Sequence, residues 1–136
     1  GVRYAFENLP GYHAVGSDVG ELADLLAEVD APCTGMCFDS GHAHLVGEAA
    51  AAAERADGQM IYVHASDNAG EADDHDMITC GTLDAEAVAR AIGRAAYRGT
   101  FMLECFYDTD RLRSLLDQGL ADRLARLIAI ANGREP

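Results

Sequence analysis

The sequence predicts an α/β fold of parallel (β/α) units with about four strands. Short runs of apolar residues alternate along the chain with longer segments rich in alanine and leucine. The runs are almost continuously apolar, which is typical of strands buried on both faces of a parallel sheet. Regular alternation of this kind implies right-handed helical crossovers between parallel strands. With 136 residues, the chain is expected to form one domain at most.

The first predicted unit begins almost at the N-terminus. An apolar run over residues 2–6 predicts a strand that ends at Glu7. A helix is predicted over residues 18–29, because Asp18 and Glu21 have the spacing of a capping box. Its apolar side chains recur at helical spacing and are predicted to share one buried face. They are Leu22, Leu25, Leu26 and Val29.

The second and third units repeat this order. Residues 34–38 predict a strand that ends at Asp39, and an alanine-rich helix is predicted over residues 47–56 after a loop. Residues 60–63 predict the third strand, which ends at His64.

The last part of the chain begins with a long polar loop over residues 66–82. Asp84 is predicted to cap a helix over residues 84–97. The fourth strand is predicted over residues 100–103 and ends at Glu104. The final amphipathic helix is predicted over residues 110–131, where Gly119 is a candidate interruption. Its apolar set is Leu112, Leu115, Leu116, Leu120, Leu124, Leu127 and Ile128.

The charge and composition of the chain limit the kinds of partner it is expected to bind. The net charge is −13, from 23 acidic and 10 basic residues, and every basic residue is arginine. Such a surface repels phosphate backbones, which argues against a nucleic-acid partner. The same bias is also typical of a salt-adapted organism or a high-GC genome. No apolar run approaches the roughly 18 residues of a membrane helix, so no membrane partner is expected.

The four cysteines do not form a C-x-x-C pair and have no secretory signal beside them. They therefore predict reduced thiols in a cytoplasmic protein.

Each predicted strand ends in a side chain that can bind a metal. These side chains are Glu7, Asp39, His64 and Glu104. In parallel α/β folds the carboxyl ends of the strands gather on one face, so the four side chains should converge. One imidazole and three carboxylates suit Mn²⁺, Mg²⁺, Co²⁺, Fe²⁺ or Zn²⁺ better than a soft metal. A single acidic residue at a strand end would more often cap a helix or form hydrogen bonds with a loop. Because all four predicted strands end in a ligand-type residue, the pattern predicts a divalent metal site.

Further ligands are predicted in the loops. His42 follows Asp39 by three residues, and Asp73 and His75 form a D-x-H pair in the polar loop. One interpretation makes His42, Asp73 and His75 the ligands of a second metal. The alternative makes them substrate-contacting or solvated loop residues.

Several short motifs resemble those of the xylose isomerase-like barrel superfamily, which includes sugar isomerases, sugar epimerases and endonuclease IV. Their order and spacing agree from Arg3 to Glu104. The matching segments are Glu7–Asn8–Leu9–Pro10, Phe38–Asp39–Ser40–Gly41–His42, His64–Ala65–Ser66–Asp67–Asn68, Asp73–Asp74–His75, Gly81–Thr82–Leu83–Asp84 and Tyr97–Arg98–Gly99 with Leu103–Glu104.

The resemblance implies an eight-stranded TIM barrel, of which residues 1–136 would supply strands five to eight. Such barrels need about 250 residues. It also implies that Glu7, Asp39, His64 and Glu104 bind the principal metal. In the endonuclease IV branch, residues matching His42, Asp73 and His75 bind a further zinc. The chain starts directly in a predicted strand without methionine, so we expect either a missing N-terminal half-barrel or self-association.

The favoured activity is isomerisation or epimerisation of a sugar, sugar phosphate or sugar-derived acid by proton transfer next to a carbonyl. Glu7 and Glu104 would exchange the proton, and His42 would orient a substrate hydroxyl. One alternative is a multi-zinc phosphodiesterase acting on abasic DNA, which the D-x-H pair favours and the acidic balance opposes. Another is a catalytically incomplete half-barrel, because four strands cannot close a barrel.

Overall fold

A computed structural model describes residues 1–134, and this part of the chain forms five strands and six helices around a mainly parallel sheet. In chain order they are β1 (Tyr4–Glu7), α1 (Val19–Val29), β2 (Thr34–Asp39), α2 (Ser40–Val46), α3 (Ala49–Arg55), β3 (Met60–Asp67), β4 (Asp76–Met77), α4 (Ala85–Arg94), β5 (Phe101–Leu103), α5 (Thr109–Asp117) and α6 (Leu120–Ala131). The α/β class and the parallel (β/α) units are confirmed.

The four parallel strands lie in the order β1-β2-β3-β5, and the two-residue β4 pairs antiparallel with the end of β3. The register matches Asp39 with His64, and His64 with Met102. Glu7 pairs with Cys37, two residues before the end of β2. The carboxyl ends of all four parallel strands therefore meet at one edge of the molecule.

The core lies between the sheet and the helices. Met36, Phe38 and Val63 from the central strands are almost fully buried, as is Ile92 of α4. Burying one such side chain contributes about 1.5–3 kcal/mol. This layer holds the strands in register and so determines where the strand-end side chains lie.

Three predicted elements differ from the structure. β3 continues to Asp67 instead of ending at His64, and β4 lies inside the predicted polar loop. The loop predicted after Asp39 is the helix α2, so the alanine-rich helix α3 begins later than predicted, at Ala49. Asp39 starts α2 by accepting a hydrogen bond from the His42 backbone N–H at 2.7 Å, which the hydrophobic pattern did not reveal.

The long final helix is interrupted as its glycine suggested. Gly119 has φ +81° and separates α5 from α6. Asp18 caps α1 as predicted, with its carboxylate accepting the backbone N–H of Glu21. The predicted apolar faces are only partly buried: Leu25, Val29, Leu112, Leu116 and Ile128 are exposed.

The outer strands of the sheet are also more exposed than predicted. Tyr4 and Phe6 of β1 are 63% and 50% exposed, and Met102 and Leu103 of β5 are 45% and 40% exposed. The expectation of burial on both faces therefore holds for β2 but is wrong for β1 and β5. None of the helices within residues 1–134 combines the length and apolar character needed to cross a membrane.

Candidate metal centre

The four strand-end side chains converge at the carboxyl edge of the sheet. Glu7 and Asp39 are the last residues of β1 and β2, His64 lies within β3, and Glu104 follows β5 directly. One ligand atom from each of these residues lies within 4.8 Å of the others. We call Glu7, Asp39, His64 and Glu104 the inner group.

The Nδ1 atom of His64 lies at the centre of the inner group. It is 3.0 Å from Glu7 Oε1, 2.7 Å from Glu104 Oε2 and 3.9 Å from Asp39 Oδ2. A ring nitrogen carries at most one hydrogen, and the hydrogen bond it makes is with Glu7. Within residues 1–134, Asp39 Oδ2 and Glu104 Oε2 are buried without a hydrogen-bond partner. Three carboxylates around one nitrogen form a donor set that could hold a cation.

The Asp39 carboxylate is fully buried. Its Oδ1 accepts hydrogen bonds from the His42 backbone at 2.7 Å and from Ser66 Oγ at 3.0 Å. Burial raises the pKa of Asp39, although His42 and the hydrogen bonds to Oδ1 work in the opposite direction. The charged form that a metal needs is thus disfavoured until a cation is present.

Asn8 joins the ends of β1 and β2. Its Nδ2 donates to the Asp39 carbonyl at 3.0 Å, and its Oδ1 accepts the Asp39 N–H at 2.7 Å. The residue is fully buried. From the sequence, Asn8 was identified only as part of a motif; the signal for its role was its position directly after a strand-end side chain.

A second cluster lies beside the inner group. His42 Nε2 and His75 Nε2 lie 3.3 Å and 3.4 Å from Asp73 Oδ2, and the three side chains fit a common metal position. We call His42, Asp73 and His75 the outer group. The structure therefore brings together both predicted sets of ligand-type residues.

The His42 ring has a defined orientation. Its Nδ1 lies 2.8 Å from the carbonyl oxygen of Asn8, which can only accept a hydrogen, so Nδ1 carries it. Nε2 is buried, has no hydrogen-bond partner among residues 1–134, and points toward Asp73. Burial lowers the pKa of His42, but the Asp39 charge, the Asn8 carbonyl and Asp73 together raise it. A proton or a metal ion at Nε2 would satisfy this arrangement.

Cys37 lies close enough to Glu7 and His64 to form a third combination of ligand-type atoms. Burial, with the nearby charges of Glu7 and Asp39, raises the pKa of its thiol to about 12. The thiol is therefore neutral at pH 7 and offers no thiolate. The carboxylates of the inner group are the better donors, which favours a hard divalent cation.

The chain is similar in sequence to known proteins. Residues 1–129 match the family model described as xylose isomerase-like TIM barrel. The chain is 30% identical over 108 residues to an uncharacterized protein of Methanocaldococcus jannaschii, covering 76% of this chain and 37% of that protein. It is 31% identical over 121 residues to an uncharacterized protein of Sinorhizobium fredii, covering 82% and 38%.

Solved structures share the fold. A D-tagatose 3-epimerase-like protein superposes with a TM-score of 0.80 at 27% identity, covering 98% of this chain and 49% of that one. A xylose isomerase domain protein from Alicyclobacillus acidocaldarius superposes with a TM-score of 0.66 at 24% identity, covering 96% and 52%. This chain thus spans about half the length of these solved neighbours and has the fold of part of a TIM barrel.

Proposed function

The chain belongs to the xylose isomerase-like TIM barrel family, and from that premise we propose that it carries the metal centre of a sugar isomerase or epimerase. The substrate class is a sugar, sugar phosphate or sugar-derived acid with a carbonyl next to the reacting carbon. The likeness to a D-tagatose 3-epimerase-like protein supports this class.

One observation carries the proposal: the crowding of three carboxylates around His64 Nδ1. Two of their oxygens, Asp39 Oδ2 and Glu104 Oε2, are buried without a hydrogen bond from any residue in the range 1–134. Buried carboxylate oxygens normally have partners, because an unsatisfied charged group is costly. A divalent cation held by the inner group would provide the missing partner for both oxygens.

When bound, such a cation would polarise the substrate carbonyl and offset the negative charge that develops on it. The protein's own part is proton transfer. Glu7 and Glu104 come from β1 and β5, the two outer parallel strands, so they approach the centre from opposite sides. Their side chains are 30% and 29% exposed, which leaves both accessible to substrate. One carboxylate would remove the proton and the other would return it on the opposite face.

His42 would orient the substrate. Its Nδ1–H is held by the Asn8 carbonyl, which leaves Nε2 on the side of Asp73 and the outer group. In the single-metal case, Nε2 would accept a hydrogen bond from a substrate hydroxyl. In the two-metal case, the outer group would hold a second divalent cation.

A complementing half-barrel is part of the proposal. The solved neighbours are about twice as long as this chain, and the β1 and β5 edges carry exposed apolar side chains. Four further βα units would cover both edges and supply the remaining wall of the substrate pocket. A reducing, cytoplasmic location remains a prediction from the cysteines, which are free.

The acid–base role is tested by Glu104→Gln in the completed barrel. With ketohexoses in D₂O, the wild type should exchange the carbon-bound hydrogen next to the carbonyl. The variant should lose about 10²–10⁴-fold in rate, as measured by proton NMR. Glu48→Gln, at an exposed position before α3, removes the same charge and should keep the rate. Unchanged exchange in Glu104→Gln would refute the role.

A second candidate function rests on the outer group. Two imidazoles and a carboxylate are typical zinc ligands, and a multi-zinc site would suit phosphodiester hydrolysis at abasic DNA. The net charge of −13 opposes it, since a DNA groove needs cations. Cleavage of an abasic oligonucleotide by the zinc-loaded barrel would support this second function.

A further inference from the structure

Asp67 is a buried carboxylate outside both ligand groups. It lies at the end of β3 and is fully buried. Its two oxygens accept four backbone N–H groups, at distances from 2.8 to 3.1 Å. The donors are the amides of Asn68, Thr79, Gly81 and Leu83. This carboxylate therefore anchors the backbone of the segment after β4 to the end of β3.

The anchored segment is conformationally strained. Thr79 in this segment adopts a φ angle of +82°, and His75 just before β4 adopts +48°, a region that costs a non-glycine residue about 1–3 kcal/mol. Gly81 packs against the anchor so closely that a Cβ there would lie 2.4 Å from Asp67 Oδ1 and 2.2 Å from the Asn68 carbonyl. Such a conformation persists only when its surroundings determine it, and Asp67 supplies three of the contacts that do so, to the amides of Thr79, Gly81 and Leu83.

β4 joins this segment to two members of the outer group, Asp73 and His75, which lie before β4. β4 pairs with the end of β3 through Asp67–Asp76 and Ser66–Met77, and His75 directly precedes β4. Tyr107 adds a second attachment, since its hydroxyl donates to Asp76 Oδ1 at 2.6 Å and accepts the Met77 N–H at 2.8 Å. The segment that presents Asp73 and His75 to His42 is thus held at β3 by Asp67 and at the end of β5 by Tyr107.

We infer that Asp67 is the positioning residue of the outer group: by holding residues 79–83 it brings His75 and Asp73 to His42. It acts through the backbone and is not itself a ligand. This inference rests on the two-metal case of the proposed function, in which the outer group holds a second divalent cation. It predicts that removing the anchor weakens the outer site and leaves the inner site intact.

The experiment measures Co²⁺ binding to the full chain by equilibrium dialysis. Two reference variants identify the sites, His75→Asn for the outer and Asp39→Asn for the inner. Asp67→Asn replaces one acceptor oxygen with an N–H donor that faces backbone N–H groups. It should reduce the outer affinity by about 10- to 100-fold, the usual effect of a residue supporting metal ligands, and leave inner binding unchanged.

Two further variants guard against misfolding as the explanation. Gly81→Ala keeps the Asp67 charge but displaces the segment, and it should give the same selective loss. Asp84→Asn removes a nearby charge that caps α4 and should bind as the wild type does. In the metal-free chain, hydrogen exchange at the Thr79, Gly81 and Leu83 amides should be slow and should accelerate in Asp67→Asn.

The outcomes of this experiment distinguish the positioning role of Asp67 from the proposed metal centre. Outer binding that survives in Asp67→Asn and Gly81→Ala would overturn the positioning role while leaving the proposed metal centre in place. Equal loss at both sites would also overturn it, since the effect would then be a general loss of structure. A wild-type chain that binds no Co²⁺ would overturn the proposed function and, with it, the inference.

Discussion

Asp39 serves several neighbours at once. Its Oδ1 caps α2 and accepts the Ser66 hydroxyl, while its backbone pairs with Asn8. Its Oδ2 is buried without a partner among residues 1–134, and burial raises its pKa. A buried charge with one unsatisfied oxygen destabilises the metal-free fold. Under the proposed function, the bound ion would offset this cost.

Asp39→Asn should consequently have opposite effects with and without metal. In EDTA we expect the free energy of unfolding to rise, on the order of 1–3 kcal/mol, because an unsatisfied buried charge is removed. With excess Mn²⁺ the wild type should gain stability from binding, and the variant should not. Urea denaturation followed by circular dichroism measures both.

The exposed Asp57→Asn is the control for that comparison and should change neither value. If Asp39→Asn is less stable than the wild type in EDTA, the carboxylate stabilises the metal-free fold. The unpaired Oδ2 would then not be the destabilising feature that we infer here.

At the level of elements, the apolar pattern predicted the alternation of strands and helices, because the central strands and the helix faces bury apolar side chains. The apolar pattern missed the end of β3, because Ser66 and Asp67 are polar. Both residues are nonetheless buried, and hydrogen bonds satisfy their polar atoms. The apolar pattern also missed α2, because its buried residues include Ser40, Gly41 and His42. These residues do not form the apolar face by which a helix is recognised in a sequence. The inner group could be predicted from the strand ends alone, but the polar residues that orient its side chains could not.

Gly41 shows how tightly α2 is fitted against β3. A Cβ at this position would lie 2.4 Å from Ser66 Oγ, and that hydroxyl accepts the Gly41 N–H and donates to Asp39. Gly41→Ala should gain about 1 kcal/mol of helix propensity but lose about 1–3 kcal/mol by overpacking. We expect a net loss of stability and weaker inner-site Co²⁺ binding, measured by urea denaturation and dialysis.

Gly11→Ala is the matched control for Gly41, because its Cβ would make only an ordinary contact, 3.5 Å from Val46 Cγ2. This variant should keep the stability and the Co²⁺ affinity of the wild type. A Gly41→Ala chain as stable as the Gly11→Ala chain would show that the Ser66 hydroxyl moves without cost, and that the close fit of α2 is not what holds Asp39.

On the scale of the whole molecule, the carboxyl edge of the sheet is assembled while the two sides of the sheet are open. Tyr4 and Phe6 alternate with Glu7 along β1, so they lie on the face opposite to the inner group, where they are exposed. Met102 and Leu103 are exposed at the other side of the sheet. An open sheet edge with exposed apolar side chains favours association. The resemblance to a TIM barrel predicted open edges of this kind, since four strands cannot close a barrel that needs about 250 residues.

The chain alone should therefore form assemblies heavier than its 14.4 kDa mass, and light scattering after size-exclusion chromatography at several concentrations would show this. Tyr4→Ser with Phe6→Ser should reduce the association, because the pair removes apolar area from the β1 edge. Tyr12→Ser, at a 72% exposed loop position, should not. A discrete dimer would indicate that two copies complete one barrel, whereas polydisperse material would indicate a missing half-barrel. A stable 14.4 kDa monomer would contradict both, since it would mean that the open edges are tolerated in water.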